Sequence, residues 1–413
     1  MNSDHIFIAL IIIVVVNFLT GRFLSWVNLK NIKPQLPSEA HGVYSEEKYY
    51  KSQNYLKTKG KFAMFTSAFS VILILLMLFF DGFAFVDQLA FGISQHYILH
   101  SLLFFAIIGF LFDLISKPFE VYSVFVIEEK FGFNKTSVKT FIADSLKSWL
   151  LTALLGGGLL SLILWIYHST GQWFVLIALF VMGGFGIFMS MFYTSLIVPL
   201  FNKLKPLEDG ELKDAIEQFG QKAGFPMSGI SVIDSSKRSS KSNAYFSGLG
   251  RKKRIVLFDT LIENHTVNEL VAVLAHEIGH YKKRHIQIGL ITGLIQTGGL
   301  LFLLYLFLGY PVFQQAIGAA QPSFHLGLVV FGLLYSPFSM LLGLLDNYIS
   351  RKNEYAADRF AAEHNLKEDL SSALKKLSAD NLSNLTPHPL YVFFYYSHPP
   401  LLKRLKALKE INT

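Results

Sequence analysis

The chain has no cysteine among its 413 residues, which removes disulfide frameworks, thiolate zinc sites and cysteine nucleophiles from consideration. Any metal must be held by His, Asp or Glu. Charge is scarce too: 16% of residues are Asp, Glu, Lys or Arg, against about a quarter in soluble domains. In its place the chain is 52% hydrophobic, with a mean hydropathy of +0.41. A disordered chain, a small stapled domain and an ordinary soluble globule are excluded, and a multi-span membrane protein is expected. Glycine-rich phosphate loops, internal repeats and low-complexity tracts are also missing from the sequence.

Seven apolar segments are candidate spans, at residues 6–19, 62–80, 97–115, 148–167, 173–198, 286–308 and 326–345. The first has no basic residue before it and no small-residue cleavage site, so it reads as a retained span and not a signal peptide. The 37 Lys and Arg fall as 8 in residues 22–61, 5 in 117–147, 14 in 203–284 and 10 in 351–409. Residues 81–96, 168–172 and 310–324 therefore hold none. Basic residues are retained in the cytosol, so this alternation predicts an outside N-terminus and a cytosolic C-terminus. The net charge of +8 then records orientation in a membrane, not an anionic partner such as nucleic acid.

The expected organisation is spans one to five in residues 1–199, a cytosolic segment in 200–285, spans six and seven in 286–345, and a cytosolic tail in 346–413 that completes the site. Within 200–285, residues 229–234, 254–258 and 243–248 read as short strands, and 209–219 has helical spacing. Thr266-Val-Asn-Glu269 has the form of a capping box heading an apolar helix. The glycines at 156–158 lie inside a span, where small residues let helices approach closely.

That capped helix carries His276-Glu-Ile-Gly-His280. Positions i and i+4 share a helix face, so both imidazoles can hold one ion while Glu277 addresses a water on it. A catalytic zinc of this kind needs a third protein ligand. Asp346, Glu354, Asp358, Glu363, His285, His364, His388 and His398 are candidates. Two spans separate His280 from Glu354, which returns Glu354 to the same face about two turns beyond the last span. Asp358, four residues further on, suits the role of acceptor for a ligand imidazole's second N–H. The alternative for this pair is a solvated helix face rich in both signs.

These residues, with Asn353-Glu-Tyr-Ala-Ala-Asp358, Ser397-His-Pro-Pro400 followed by Arg404, Ser242-Asn-Ala-Tyr-Phe246, and Pro118-Phe through Val126-Ile-Glu-Glu-Lys-Phe-Gly-Phe-Asn134, resemble the type I CAAX prenyl proteases. The likeness runs from about residue 60 to the C-terminus. It implies a mainly α membrane protein with seven transmembrane helices around a chamber and a small cytosolic α+β gluzincin-like metalloprotease domain. It implies one zinc ion on His276, His280 and Glu354, Glu277 as general base, and Asp358 beside the site. It further implies that His398 donates to the tetrahedral intermediate, that Arg404 holds that loop, and that the segment at Asn243 pairs with an extended substrate. The expected partners are a peptide or protein substrate, prenylated or not, and the lipid bilayer; the expected membrane is a bacterial inner membrane or the endoplasmic reticulum.

Blander readings stand beside these: a surface histidine for His398, a solvated basic face for Arg404, a turn residue for Asn243. Asp113 and Lys117, at i and i+4 in the third span, read as a structural pair, and His100 as a residue reaching the headgroup layer. Arg251-Lys-Lys-Arg254 reads as a solvated or lipid-facing turn. The rivals to a prenyl-directed protease are a membrane-protein quality-control protease and, from another class, a zinc-binding transporter or channel.

Overall fold

A computed structural model describes residues 2–411 except Pro34, Pro226, Ser228 and residues 249–252. Its helices, in chain order, include α1 (Ser3–Lys30), α2 (Glu46–Phe79), α3 (Gly82–Ile93), α4 (Tyr97–Tyr122), α5 (Val138–Leu151), α6 (Gly157–Thr170) and α7 (Phe174–Leu196). After them come α8 (Glu211–Lys222), α9 (Val267–Lys282), α10 (His285–Leu308), α11 (Phe324–Glu363), α12 (Lys367–Asp380) and α13 (Leu401–Lys409). Among the described residues, six helical stretches are long and apolar enough to cross a bilayer. One of them, Val138–Phe201, runs for 64 residues, about three times what a crossing needs. The chain turns within it at Gly171, whose φ of 51° a side chain would resist, and the two apolar segments expected there lie on either side of that turn. Apolar side chains stand open to the surroundings along these helices, Phe180 being 81% exposed and Phe80 76%. Such faces suit lipid and not water.

Two expectations for the membrane part need correction. The 81–96 connection is not simply a loop: α3 fills most of it and buries Phe83, Val86 and Ala90 against α1, α2 and α4. The glycines at 156–158 do not mark a close helix approach, since a Cβ there would meet nothing nearer than 3.9 Å.

The body outside the long apolar helices is built on a four-stranded sheet: β1 (Leu204–Pro206), β2 (Ile230–Ile233), β3 (Ala244–Ser247) and β4 (Arg254–Phe258), in the order β1-β2-β4-β3. β2 and β4 run parallel, and β1 and β3 are antiparallel edges. Ile255 and Leu257 of β4 pack with Leu270, Leu274 and Ile278 of α9 and with Ile216 of α8 in one core. α9 starts as its sequence dictates. Thr266 Oγ1 accepts the Glu269 amide, and Glu269 Oε2 accepts the Thr266 amide at 2.8 Å.

Segments outside 200–285 and 346–413 join this body. Tyr44, Tyr55, Phe131 and Phe133 share a core with Leu382 and Leu385. Lys241 Nζ donates to Glu128 and to Tyr55 Oη, and Arg238 forks onto Asp144. Lys253, expected in a solvated turn, is instead buried with its ammonium over the Tyr281 ring at 3.4 Å; Arg251 and Lys252 lie outside the described residues.

α11 positions the site. It stays helical for 40 residues, through Pro337, from the apolar segment to Glu363, so Glu354 projects from the continuation of that same helix. α9 lies against that helix at Gly279, where a Cβ would come within 3.0 Å of both Ala357 Cα and Phe360 Cβ. A side chain at position 279 would press on both residues, and the close approach that glycine allows brings the two helices' histidines and carboxylates together.

Candidate metal centre

His276 and His280 on α9 face Glu354 on α11. The two Nε2 atoms are 3.2 Å apart; His280 Nε2 is 3.2 Å from Glu354 Oε1, and His276 Nε2 is 3.5 Å from Oε2. A tetrahedral ion with bonds of about 2.0–2.1 Å has ligand-to-ligand edges of about 3.3 Å, so the residues present fit zinc. Glu354 is 3% exposed, and its Oε2 accepts no hydrogen bond although Arg404 Nη1 lies 3.3 Å away.

The chemistry of the donors agrees with the spacing. His276 Nδ1 is 2.9 Å from Asp358 Oδ1. A carboxylate only accepts, so the network assigns the proton of a neutral His276 to Nδ1 and leaves Nε2 as a lone pair. That lone pair and the Glu354 oxygens are acceptors crowded at buried positions, an arrangement that calls for a cation.

Asp358 is itself clamped. Arg404 on α13 donates from Nε to Oδ2 at 2.9 Å and from Nη2 to Oδ1 at 2.6 Å, and both residues are buried. Such a fork fixes the carboxylate's orientation as well as its charge. Opposing carboxylates raise the Arg404 guanidinium above its usual range although burial works against it. Burial pushes the Glu277 carboxyl up, against the pull of His276 and His280, which moves it towards the range suited to a general base.

His398 is exposed, with Nε2 3.3 Å from Glu354 Oε1 and Nδ1 against Ser397 Oγ at 2.9 Å. It precedes the buried Pro399 and Pro400, which fix the entry to α13. Asn243 stands exposed at the head of edge strand β3; its carbonyl accepts the Phe258 amide at 3.1 Å and its Oδ1 accepts the Ala244 amide at 2.9 Å. It hydrogen-bonds none of the other candidates.

The remaining ligand candidates lie elsewhere, Glu363 exposed at the end of α11. Asp346 accepts from Gln296, His364 Nδ1 meets the Phe360 carbonyl, and His388 caps the short helix Pro389–Tyr395. His285 is different: its Nδ1 is 3.0 Å from Nδ1 of His280, on the ring nitrogen that does not face Glu354. A second cluster escaped sequence reasoning. Asp87, His100 and His325 converge in the membrane part, so His100 does not simply reach outward. Asp113 and Lys117 pair at 3.2 Å, with Glu120 and the Trp149 indole joining them.

Comparison with known proteins agrees with this picture. Residues 26–203 match the family model for the CAAX prenyl protease N-terminal region with five membrane helices, and residues 206–412 match that of peptidase family M48. CAAX prenyl protease 1 of Saccharomyces cerevisiae is 35% identical, across 96% of this chain and 92% of the relative. The Homo sapiens homolog is 32% identical across 91% and 89%. The crystal structure of S. mikatae Ste24p superposes with a TM-score of 0.93 at 34% identity, covering 98% of this chain and 99% of that one. A metal-edge cluster held between a sheet-backed helix and a membrane helix, with likeness over nearly the whole length, makes this chain a multi-pass membrane metallopeptidase of family M48.

Proposed function

We propose that the protein hydrolyses peptide bonds near the C-terminus of prenylated, CAAX-type substrates, using one zinc held by His276, His280 and Glu354. The observation that carries this reading is the convergence of buried acceptors at metal-edge spacing beside Glu277. Zinc bound there supplies a Lewis acid that lowers the pKa of water towards neutrality. Glu277 takes a proton from the attacking water and passes it to the departing amine as the C–N bond breaks. His398, exposed and aimed at the same ligand set, donates its N–H to the developing oxyanion. Asp358, held by the Arg404 fork, orients His276. An extended substrate adds to the free edge of β3 beside Asn243, where main-chain hydrogen bonds align the scissile bond.

The chain crosses the membrane seven times, with the N-terminus outside and the zinc site and C-terminus cytosolic, since the Lys-free and Arg-free connections alternate with basic ones. Given the substrate class, the endoplasmic reticulum is the membrane.

Reconstituted protein should cleave a farnesylated CAAX peptide faster than the same peptide unmodified. Equal rates would overturn the prenyl-directed reading and favour a quality-control protease.

A further inference from the structure

We propose that His285 is the positioning residue for the ligand His280: it accepts the His280 Nδ1–H and so holds the ring with Nε2 as the bare, metal-facing nitrogen. The proposal rests on the zinc reading above and goes beyond it, since that reading leaves the second nitrogen of His280 without a role.

The two ring nitrogens lie 3.0 Å apart, with the rings edge-on at 73° and centroids at 5.1 Å. A hydrogen bond of this length between two imidazole nitrogens needs one proton, on one side only. If His280 Nε2 binds metal, the single proton of its neutral ring must sit on Nδ1. His285 Nδ1 is then the acceptor, and the proton of His285 sits on its own Nε2. His285 cannot serve as the third ligand to the same ion, because it meets the ring nitrogen turned away from Glu354.

The backbone is shaped to make this contact. On a continuous helix, a residue five positions after His280 would lie about 140° around the axis, facing elsewhere. α9 instead ends at Lys282, and Arg284 adopts φ 61° and ψ 25° before α10 begins with His285. A left-handed conformation is costly for a side chain as large as arginine. Here it folds the first residue of α10 back onto the last turn of α9.

The two ligand histidines thus have unlike supports. His276 leans on a carboxylate locked by an arginine fork, whereas His280 leans on one half-buried imidazole. The His285 contact is the more easily lost, and with it the orientation of His280. Outer partners of ligand histidines typically govern metal affinity by about 10- to 100-fold.

The test is zinc affinity by chelator competition on the purified full chain, comparing wild type with His285→Ala, His285→Gln and His280→Ala, alongside melting of the metal-free forms. His285→Ala should weaken zinc by about 10- to 100-fold with metal-free melting unchanged. His285→Gln, whose amide oxygen can accept the same proton, should restore most of the affinity. Equal weakening by Ala and Gln, or none by Ala while His280→Ala loses zinc, overturns the His285 assignment. Full zinc retention by His280→Ala overturns the underlying metal reading instead.

Discussion

Two clusters of histidine and carboxylate sit near opposite ends of α11, at His325 and at Glu354, separated by about 44 Å at 1.5 Å per residue. They share residue types and differ in spacing. At the Glu354 end the acceptors stand 3.2–3.5 Å apart, and Glu354 Oε2 accepts no hydrogen bond, with Arg404 Nη1 3.3 Å away. At the other end His325 Nε2 is 2.6 Å from Asp87 Oδ1 and His100 Nε2 is 3.0 Å from the Asp87 main-chain carbonyl, both hydrogen-bond lengths. His325 Nδ1 also meets the Ser101 hydroxyl at 3.0 Å. His325 Nε2 meets Asp87 Oδ1, His100 Nε2 donates to the Asp87 main-chain carbonyl, and the Ser101 hydroxyl sits between the Tyr97 carbonyl and His325 Nδ1, so each group has a hydrogen-bond partner. The outer cluster is closed by protons and ties α3, α4 and α11 together. The inner one leaves Glu354 Oε2 without a hydrogen bond, the position the proposed zinc would fill.

The largest effect should come from the inner cluster's base. Glu277→Gln should lower cleavage by about 10²- to 10⁴-fold in a peptide assay while zinc content stays unchanged. Undiminished cleavage would remove Glu277 from the mechanism. Next, Asp358→Ala strips a buried arginine of its forked partner, which typically costs about 3–5 kcal/mol; denaturant unfolding should register this, with zinc affinity falling in parallel. Full stability would mean that the fork is idle.

At the outer cluster, Asp87→Ala should cost about 1–3 kcal/mol by leaving the buried His325 imidazole without its side-chain partner, with zinc content and cleavage rate kept. Loss of zinc there would erase the distinction drawn between the two ends. The smallest effect concerns α9 itself. Burial raises the Glu269 carboxyl, but Lys376, Ser372 and the Thr266 amide outweigh it and hold it at about 2, below the ordinary 4.5. A depressed acid stabilises the fold fully above its unfolded value, and that contribution fades as pH falls from about 4.5 towards 2. Glu269→Gln should therefore flatten the loss of melting temperature across that window, and an unchanged acid profile would contradict the assignment.

The inner cluster was more legible than the outer one for a physical reason. His276, Glu277 and His280 lie within one helical turn, and their spacing alone states their geometry. Glu354 was reachable because two crossings and an uninterrupted helix return it to the same face, and α11 is uninterrupted. Asp87, His100 and His325 come from three elements, and no periodicity links them. His285 stood among eight ligand candidates because nothing local announces that an arginine will adopt a left-handed turn at position 284. β1 went unread because Leu204-Lys-Pro206 is three residues long with a proline, and is a strand through its pairing with β2. α3 was hidden by its length, at 12 residues too short to count as a span.

The central claim is that one of these two clusters is built around a metal ion and the other is not. Metal quantification of the purified full chain tests it most directly. The account predicts one zinc per chain, kept in Asp87→Ala and lost in His280→Ala. Two zinc ions per chain with one lost in Asp87→Ala, or zinc retained in His280→Ala, would contradict it.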